Sequence, residues 1–249
     1  MNAVFLKELR DVFRWTPLTI LLGLVLAYMS LPNGIYEATQ MGDKLLSMLG
    51  LAACLIAIGL GCLQSLFDIR NDSRGYLLHR NFTPSQIYWA KLGAGAVAYA
   101  ISLAVPVLWM AVYLQWKGIE QLPTSAFQVP PFLLFAPLAF LLHPTVLWIS
   151  NRDARLIGTR ALPAAGVFGT LILIRSLVIE IGSPNDWFTR ILLVFVSVSL
   201  VLIVLNGAKH AFAHQSFLPA ATSSRRKSFA NTIGISVSAI VLVCTLGFT

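Results

Sequence analysis

Seven long apolar segments, joined by short polar connections, limit what this chain can fold into. Their approximate bounds are 17–31, 45–67, 92–116, 132–149, 161–182, 187–206 and 232–249. Each segment is continuously apolar, a pattern typical of membrane-spanning helices and not of alternating strands. Because one crossing needs about 20 apolar residues, six or seven spans would use nearly all of the chain's 249 residues.

The composition agrees with this interpretation. Only 11% of the residues are charged, whereas soluble proteins carry about 25%. We therefore predict an all-α polytopic membrane protein in which residues 1–249 form a single transmembrane domain, with no room for a soluble catalytic domain. The net charge of +8 indicates basic loops facing anionic lipid rather than a nucleic-acid surface. The three cysteines lie in apolar runs without metal-ligand spacing, so we expect no metal site and no cofactor.

The N-terminal residues 2–15 form an amphipathic pattern. One side is apolar and the other carries Lys7, Glu8, Arg10, Asp11 and Arg14. We expect a helix in the membrane interface with its apolar side towards the lipid, which is formed by Val4, Phe5, Leu9, Val12 and Phe13. A cleaved signal peptide is the alternative, but the acidic residues and the poor cleavage site favour a retained anchor.

Basic residues predict the orientation. Fourteen Lys and Arg residues fall on one side of the membrane: Lys7, Arg10, Arg14, Arg70, Arg74, Arg80, Lys91, Arg152, Arg155, Arg160, Lys209, Arg225, Arg226 and Lys227. The other side has three, which are Lys44, Lys117 and Arg190. We therefore expect a multi-pass protein of the cell membrane, of the bacterial inner-membrane type, with a cytoplasmic N-terminus. If 232–249 does not cross, both ends lie inside.

Two spans carry further expectations. The second span, 45–67, is rich in Gly and Ala, so it should pack centrally among the other helices. Its polar residue Gln64 lies near the inner end and could simply reach the interface. Pro106, in the third span, predicts a kink.

The cytoplasmic segment 68–91 contains a clear helix start. Thr83 can cap the helix, Pro84 suits its first position, and Gln86 can bond back to the backbone of the capping residue. A capped helix running directly into the third span would act as a rigid lever. The alternative is an ordinary basic loop in which Tyr88 and Trp89 are interfacial anchors.

Three polar residues are candidates for an intramembrane site. Arg175 lies within the fifth span, where a charge costs about 2.5–3.5 kcal/mol, so it should face protein or a water-filled path. Glu180 is on the same span but poorly placed to pair with it. His143, beside Pro144, is either a hydrogen-bonding residue at a kink or a proton relay.

The chain resembles permeases of the type-2 ABC-transporter superfamily. The resemblance rests on the amphipathic start and on an acidic residue, Gly, Leu-Leu, Pro-Ser and Lys before the third span: Asp68 or Asp72, Gly75, Leu77-Leu78, Pro84-Ser85 and Lys91. It covers residues 1–95, and the remainder only by the pattern of spans. It implies that 68–91 contains a coupling helix that binds a separate ATP-binding subunit, through residues including Asp72, Arg74, Gly75, Tyr76, Leu77, Leu78, Arg80, Thr83 and Pro84.

We therefore expect the permease subunit of an ABC transporter, paired with an identical or related permease. No G-x-x-x-x-G-K-[ST] phosphate loop occurs in the sequence, so ATP hydrolysis would belong to the partner chain. We expect no enzyme activity in this chain. The alternatives are a secondary transporter or intramembrane enzyme that uses Arg175, His143 and Glu180, or a non-transporting membrane assembly subunit.

Overall fold

A computed structural model describes residues 2–31, 41–70, 82–116, 135–150, 167, 169 and 187–215. Within these ranges the regular secondary structure is entirely helical, which confirms the all-α prediction. The helices are α1 (Asn2–Phe13), α2 (Thr16–Met29), α3 (Met41–Arg70), α4 (Pro84–Trp116), α5 (Leu142–Ser150) and α6 (Trp187–Gln215).

Three of these helices are long and apolar enough to cross a membrane, namely α3 over Ser47–Leu66, α4 over Pro84–Tyr113 and α6 over Phe195–Phe212. Helices α1 and α2 meet at a bend of 49° and would make a fourth span if they cross as one broken unit. These helices fit a membrane location. Three or four spans among the described residues do not confirm the predicted six or seven, because most of 161–182 and all of 232–249 lie outside the described ranges.

The observed helix boundaries refine the predicted ones. Helix α2 begins at Thr16 with a proline in its first turn, as predicted. Helix α6 ends at Gln215 and so continues beyond the predicted end at Asn206. The fourth predicted segment is interrupted: the helical stretch Phe135–Ser150 breaks at Phe140 and Leu141 before α5 begins.

Helix α3 lies at the centre of the packing, as its small residues predicted. Ala52, Ala53 and Ala57 are completely buried. A Cβ atom added to Gly61 would lie 3.0 Å from the Cβ of Val146 in α5, so the two backbones approach closely. Small side chains permit this approach, and close packing supplies the attraction that holds apolar helices together in lipid.

Helix α2 packs against α4 through one polar and one steric contact. The hydroxyls of Thr19 and Ser102 lie 2.6 Å apart and share a hydrogen bond. One turn further along α2, a Cβ atom on Gly23 would lie only 2.6 Å from Cγ of Pro106. Pro106 lies inside the continuous helix α4. Because Gly23 has no side chain, the proline ring can occupy the space beside it.

Candidate functional site

A buried ion pair joins the N-terminal helix to α4. The Lys91 Nζ atom donates to Oε2 of Glu8 across 2.7 Å, and the two side chains are only 1% and 5% exposed. Glu8 lies between Val4 and Val12 on the buried side of α1. The sequence pattern had assigned Glu8 to the polar side of this helix, and that prediction was wrong, because Glu8 pairs with a lysine inside the protein.

Lys7 extends this cluster towards the surface. Its Nζ atom lies 3.5 Å from Oε1 of Glu8 and 3.5 Å from Oδ2 of Asp11. The Lys7 side chain is 31% exposed, so water screens these two pairs more than it screens the Glu8–Lys91 pair. The cluster therefore runs from a half-exposed lysine to a fully buried one.

Gln64 links Lys91 to the fifth helix. Its Nε2 atom donates to the backbone carbonyl of Lys91 across 3.1 Å, and its Oε1 atom lies 2.9 Å from Nε2 of His143. Gln64 is 1% exposed, so it does not reach the membrane interface as the sequence suggested. Because the Nε2 atom of Gln64 is the donor to the Lys91 carbonyl, the other atom of this side-chain amide, Oε1, can only accept, and the Nε2–H of His143 donates to it.

This hydrogen-bond network assigns the tautomer of His143. The imidazole carries its proton on Nε2, which leaves Nδ1 as an acceptor in the neutral ring. Nδ1 has no hydrogen-bond partner among the residues that the structure describes. A buried acceptor without a donor costs about 1–3 kcal/mol, so a donor that reached this atom would bind favourably.

His143 fills a narrow slot between α3 and α4. A Cβ atom on Gly95 would lie 2.5 Å from the His143 Nε2 atom, and one on Gly61 would lie 3.0 Å from the His143 carbonyl oxygen. The ring also stacks on Phe140, with centroids 5.1 Å apart and planes 13° apart. The side chain is therefore fixed next to the helix break at 140–141, as expected of a hydrogen-bonding residue at a kink.

The beginning of α4 has the cap that the sequence predicted. The backbone N–H of Thr83 donates to Oε1 of Gln86 across 3.0 Å, and the N–H of Gln86 donates to Oγ1 of Thr83 across 3.3 Å. Pro84 is the first residue of the helix. This reciprocal pair confirms the predicted capping box and fixes where α4 begins.

The aromatic pair after the cap is divided between the interior and the surface. Tyr88 is fully buried and Trp89 is 45% exposed. The Tyr88 ring packs near Phe212 of α6, with centroids 6.0 Å apart. Only Trp89 therefore fits the alternative in which both residues are interfacial anchors.

The structure describes only some of the predicted site residues. Thr83, Pro84 and His143 are described, whereas the others lie outside the described residues: Asp72, Arg74, Gly75, Tyr76, Leu77, Leu78, Arg80, Arg175 and Glu180. The proposed grouping of His143 with Arg175 and Glu180 thus stays a prediction. The sequence reasoning missed the Glu8–Lys91 and Gln64–His143 contacts. One signal for the first was available, since Val4, Glu8 and Val12 are spaced by four residues and share a helix face.

In the described part of the chain, no group of three His, Cys, Asp or Glu side chains is placed to hold a metal ion. Cys54 and Cys62 are not joined in a disulfide bond, and Cys54 is buried in the helix core. The buried polar residues Glu8, Lys91, Gln64 and His143 link four helices, and Nδ1 of His143 can accept one further hydrogen bond.

No protein-family model, no curated protein and no solved structure matches this chain.

Proposed function

We propose that this chain is the membrane-spanning permease subunit of an ABC transporter and moves a substrate across the cell membrane with ATP hydrolysed by a separate subunit. One observation supports this most directly. The first turns of α4 are held by the Thr83–Gln86 cap, by the Glu8–Lys91 ion pair and by the bond from Gln64 to the Lys91 carbonyl. Helix α4, which follows the predicted coupling segment (residues 73–80), therefore begins as a rigid body.

A rigid start allows a push on the loop to reach the membrane interior. Helix α4 continues without interruption from Pro84 to Trp116, a length of about 50 Å at 1.5 Å per residue. Displacement of its first turn would move Ser102 and Pro106, which contact α2. In the proposed mechanism, ATP binding in the partner displaces residues 73–80, and α4 carries that motion to α2 and α3.

The proposal includes three partners. An ATP-binding subunit contacts the segment 73–80, a second identical or related permease completes the translocation path, and membrane lipid surrounds the apolar helices. The excess of basic residues supports a cytoplasmic location for this segment and for the N-terminus, and ATP is available in the cytoplasm.

The test is co-purification. The full chain, tagged and extracted in mild detergent from its own membranes, should retain an ATPase whose sequence contains a phosphate-loop motif. The Leu77→Asp/Leu78→Asp variant should lose this subunit and the associated ATP hydrolysis, because two charges would oppose an apolar docking surface. Leu122→Asp is the matched control and should retain both, because Leu122 is close in sequence to Lys117, which is predicted to lie on the opposite side of the membrane. If the Leu77/Leu78 variant binds the ATPase as wild type does, the coupling-segment proposal fails.

His143 favours one other function. A buried imidazole with an available Nδ1 acceptor could carry a proton in a secondary transporter or an intramembrane enzyme. That function predicts transport or turnover that needs an ion gradient but no ATP, and that stops in Arg175→Ala and in His143→Gln. ATP-dependent transport that persists in both variants would exclude it.

A further inference from the structure

The side of α1 that faces away from the protein has an unexpected composition. It exposes Leu6, Arg10 and Phe13, which lie within about 60° of arc on a helix. Leu6 is 61% exposed and Phe13 is 37% exposed. Arg14 and Trp15, in the link to α2, are also exposed. We call these five residues the outer face of α1.

The charges on α1 divide between the protein and the outer face. Glu8 pairs with Lys91, and Asp11 pairs with Lys7. Arg10 and Arg14 form no ion pair with any carboxylate in the described part of the chain. The outer face therefore carries two positive charges, among large apolar side chains, that no carboxylate in the described part of the chain compensates.

The connection to α2 sets the depth of this face. The apolar helix α2 begins at Thr16, directly after Trp15, and α1 turns from it by 49°. An arginine exposed to the hydrocarbon core costs about 2.5–3.5 kcal/mol, so two exposed arginines exclude that depth. Tryptophan is enriched where the core meets the headgroups. These facts place the outer face at headgroup level.

We propose that the outer face of α1 binds anionic phospholipid headgroups of the bilayer. The guanidinium groups of Arg10 and Arg14 donate to lipid phosphates, for which their planar forks are suited. Leu6 and Phe13 enter the adjoining acyl region. The sequence had assigned lipid contact to Val4, Phe5, Leu9, Val12 and Phe13. Val4 and Val12 are instead buried against the protein, and of these five only Phe13 is exposed. This site is independent of the proposed transport function.

The experiment uses the full chain, delipidated in detergent and titrated with phosphatidylglycerol or with phosphatidylcholine, and native mass spectrometry gives the dissociation constant of the first bound lipid. Wild type should prefer phosphatidylglycerol. Arg10→Gln/Arg14→Gln should weaken phosphatidylglycerol binding by roughly 25-fold, about fivefold for each arginine, and leave phosphatidylcholine binding unchanged. Lys209→Gln removes an exposed cation from α6 and is the matched control, which should bind both lipids as wild type does.

Two further measurements complete the test. Binding of phosphatidylglycerol to wild type should weaken as salt rises from 0.05 to 0.5 M, because salt screens the arginines, and inorganic phosphate at millimolar concentration should not displace the lipid. Equal affinity for the two lipids, or a preference that survives in Arg10→Gln/Arg14→Gln, would overturn the proposal. If the outer face instead retains an acidic protein in lipid-free detergent and shows no lipid preference, it is a protein-docking surface and the proposal is likewise wrong.

Discussion

Replacing Lys91 with methionine removes the ammonium group that bonds Glu8 and keeps an unbranched side chain of similar length. The pair is 2.7 Å long and both side chains are buried, so the loss is that of a buried ion pair, about 3–5 kcal/mol. In Lys91→Met, Glu8 still has Lys7 at 3.5 Å, so the loss of stability in this variant should be near the lower end of that range. Glu8→Met removes the carboxylate that pairs with a lysine only 1% exposed, so its loss should fall in the same range of about 3–5 kcal/mol.

The double variant Glu8→Met/Lys91→Met distinguishes the ion pair from simple packing. Methionine at both positions removes both charges and the desolvation that they require, so the free energy of unfolding should return to within about 1 kcal/mol of wild type. The measurement is equilibrium unfolding of the full chain in mixed micelles, followed by circular dichroism. Lys209→Met changes an exposed lysine and should shift stability by no more than about 0.5 kcal/mol.

Two results would refute this reasoning. Single variants that each lose less than about 1 kcal/mol would mean that the pair behaves as an exposed one. A double variant whose loss equals the sum of the two single losses would mean that Glu8 and Lys91 do not interact. Amide hydrogen exchange in α1 supplies an independent readout: protection should fall in both single variants and recover in the double variant.

Two other substitutions test the slot at His143 and the start of α4. Gly95→Ala should lower the free energy of unfolding by about 1–3 kcal/mol, because its Cβ would lie 2.5 Å from the His143 ring. Gly59→Ala is the control: a Cβ atom there would have nothing within 4 Å, so this variant should be neutral or stabilising in the same unfolding assay. Equal effects of the two substitutions would contradict the packing described. Thr83→Ala should lower the free energy of unfolding by about 0.5–2 kcal/mol and speed amide exchange in the first turn of α4. Gln86→Glu keeps an oxygen acceptor for the Thr83 N–H, so its stability should remain close to that of wild type. Unchanged amide exchange in Thr83→Ala would argue against the cap.

The helical character of the described segments and the start of α4 were predictable from the sequence because local features set them, whereas the end of α6 and the break at 140–141 were not. A long apolar run favours a helix in lipid, where each backbone donor and acceptor must be bonded within its own segment. The Thr83–Gln86 cap depends on residues three apart and needs no distant contact. The central position of α3 followed from its alanines and glycines, since small side chains are what close helix packing requires.

The contacts of the candidate site were not predictable in the same way. Glu8 and Lys91 are 83 residues apart, and Gln64 and His143 are 79 apart. No local pattern specifies which polar residue on one helix meets which on another. The position of Gln64 near a helix end was compatible with a side chain at the membrane interface and with one in the protein interior. Only its two partners in the fold, Lys91 and His143, show that it is in the interior.

The segment that suggested a function, 68–91, shows this division within a few residues. Its amino acids alone determined a basic connection that ends in a capped helix, because capping and hydropathy act over one or two turns. Only the tertiary structure decided that α1 and α3 hold the first turns of this helix through Lys91. Buried polar groups are stable only when their partners are placed across helix interfaces, and that placement is a property of the packed fold.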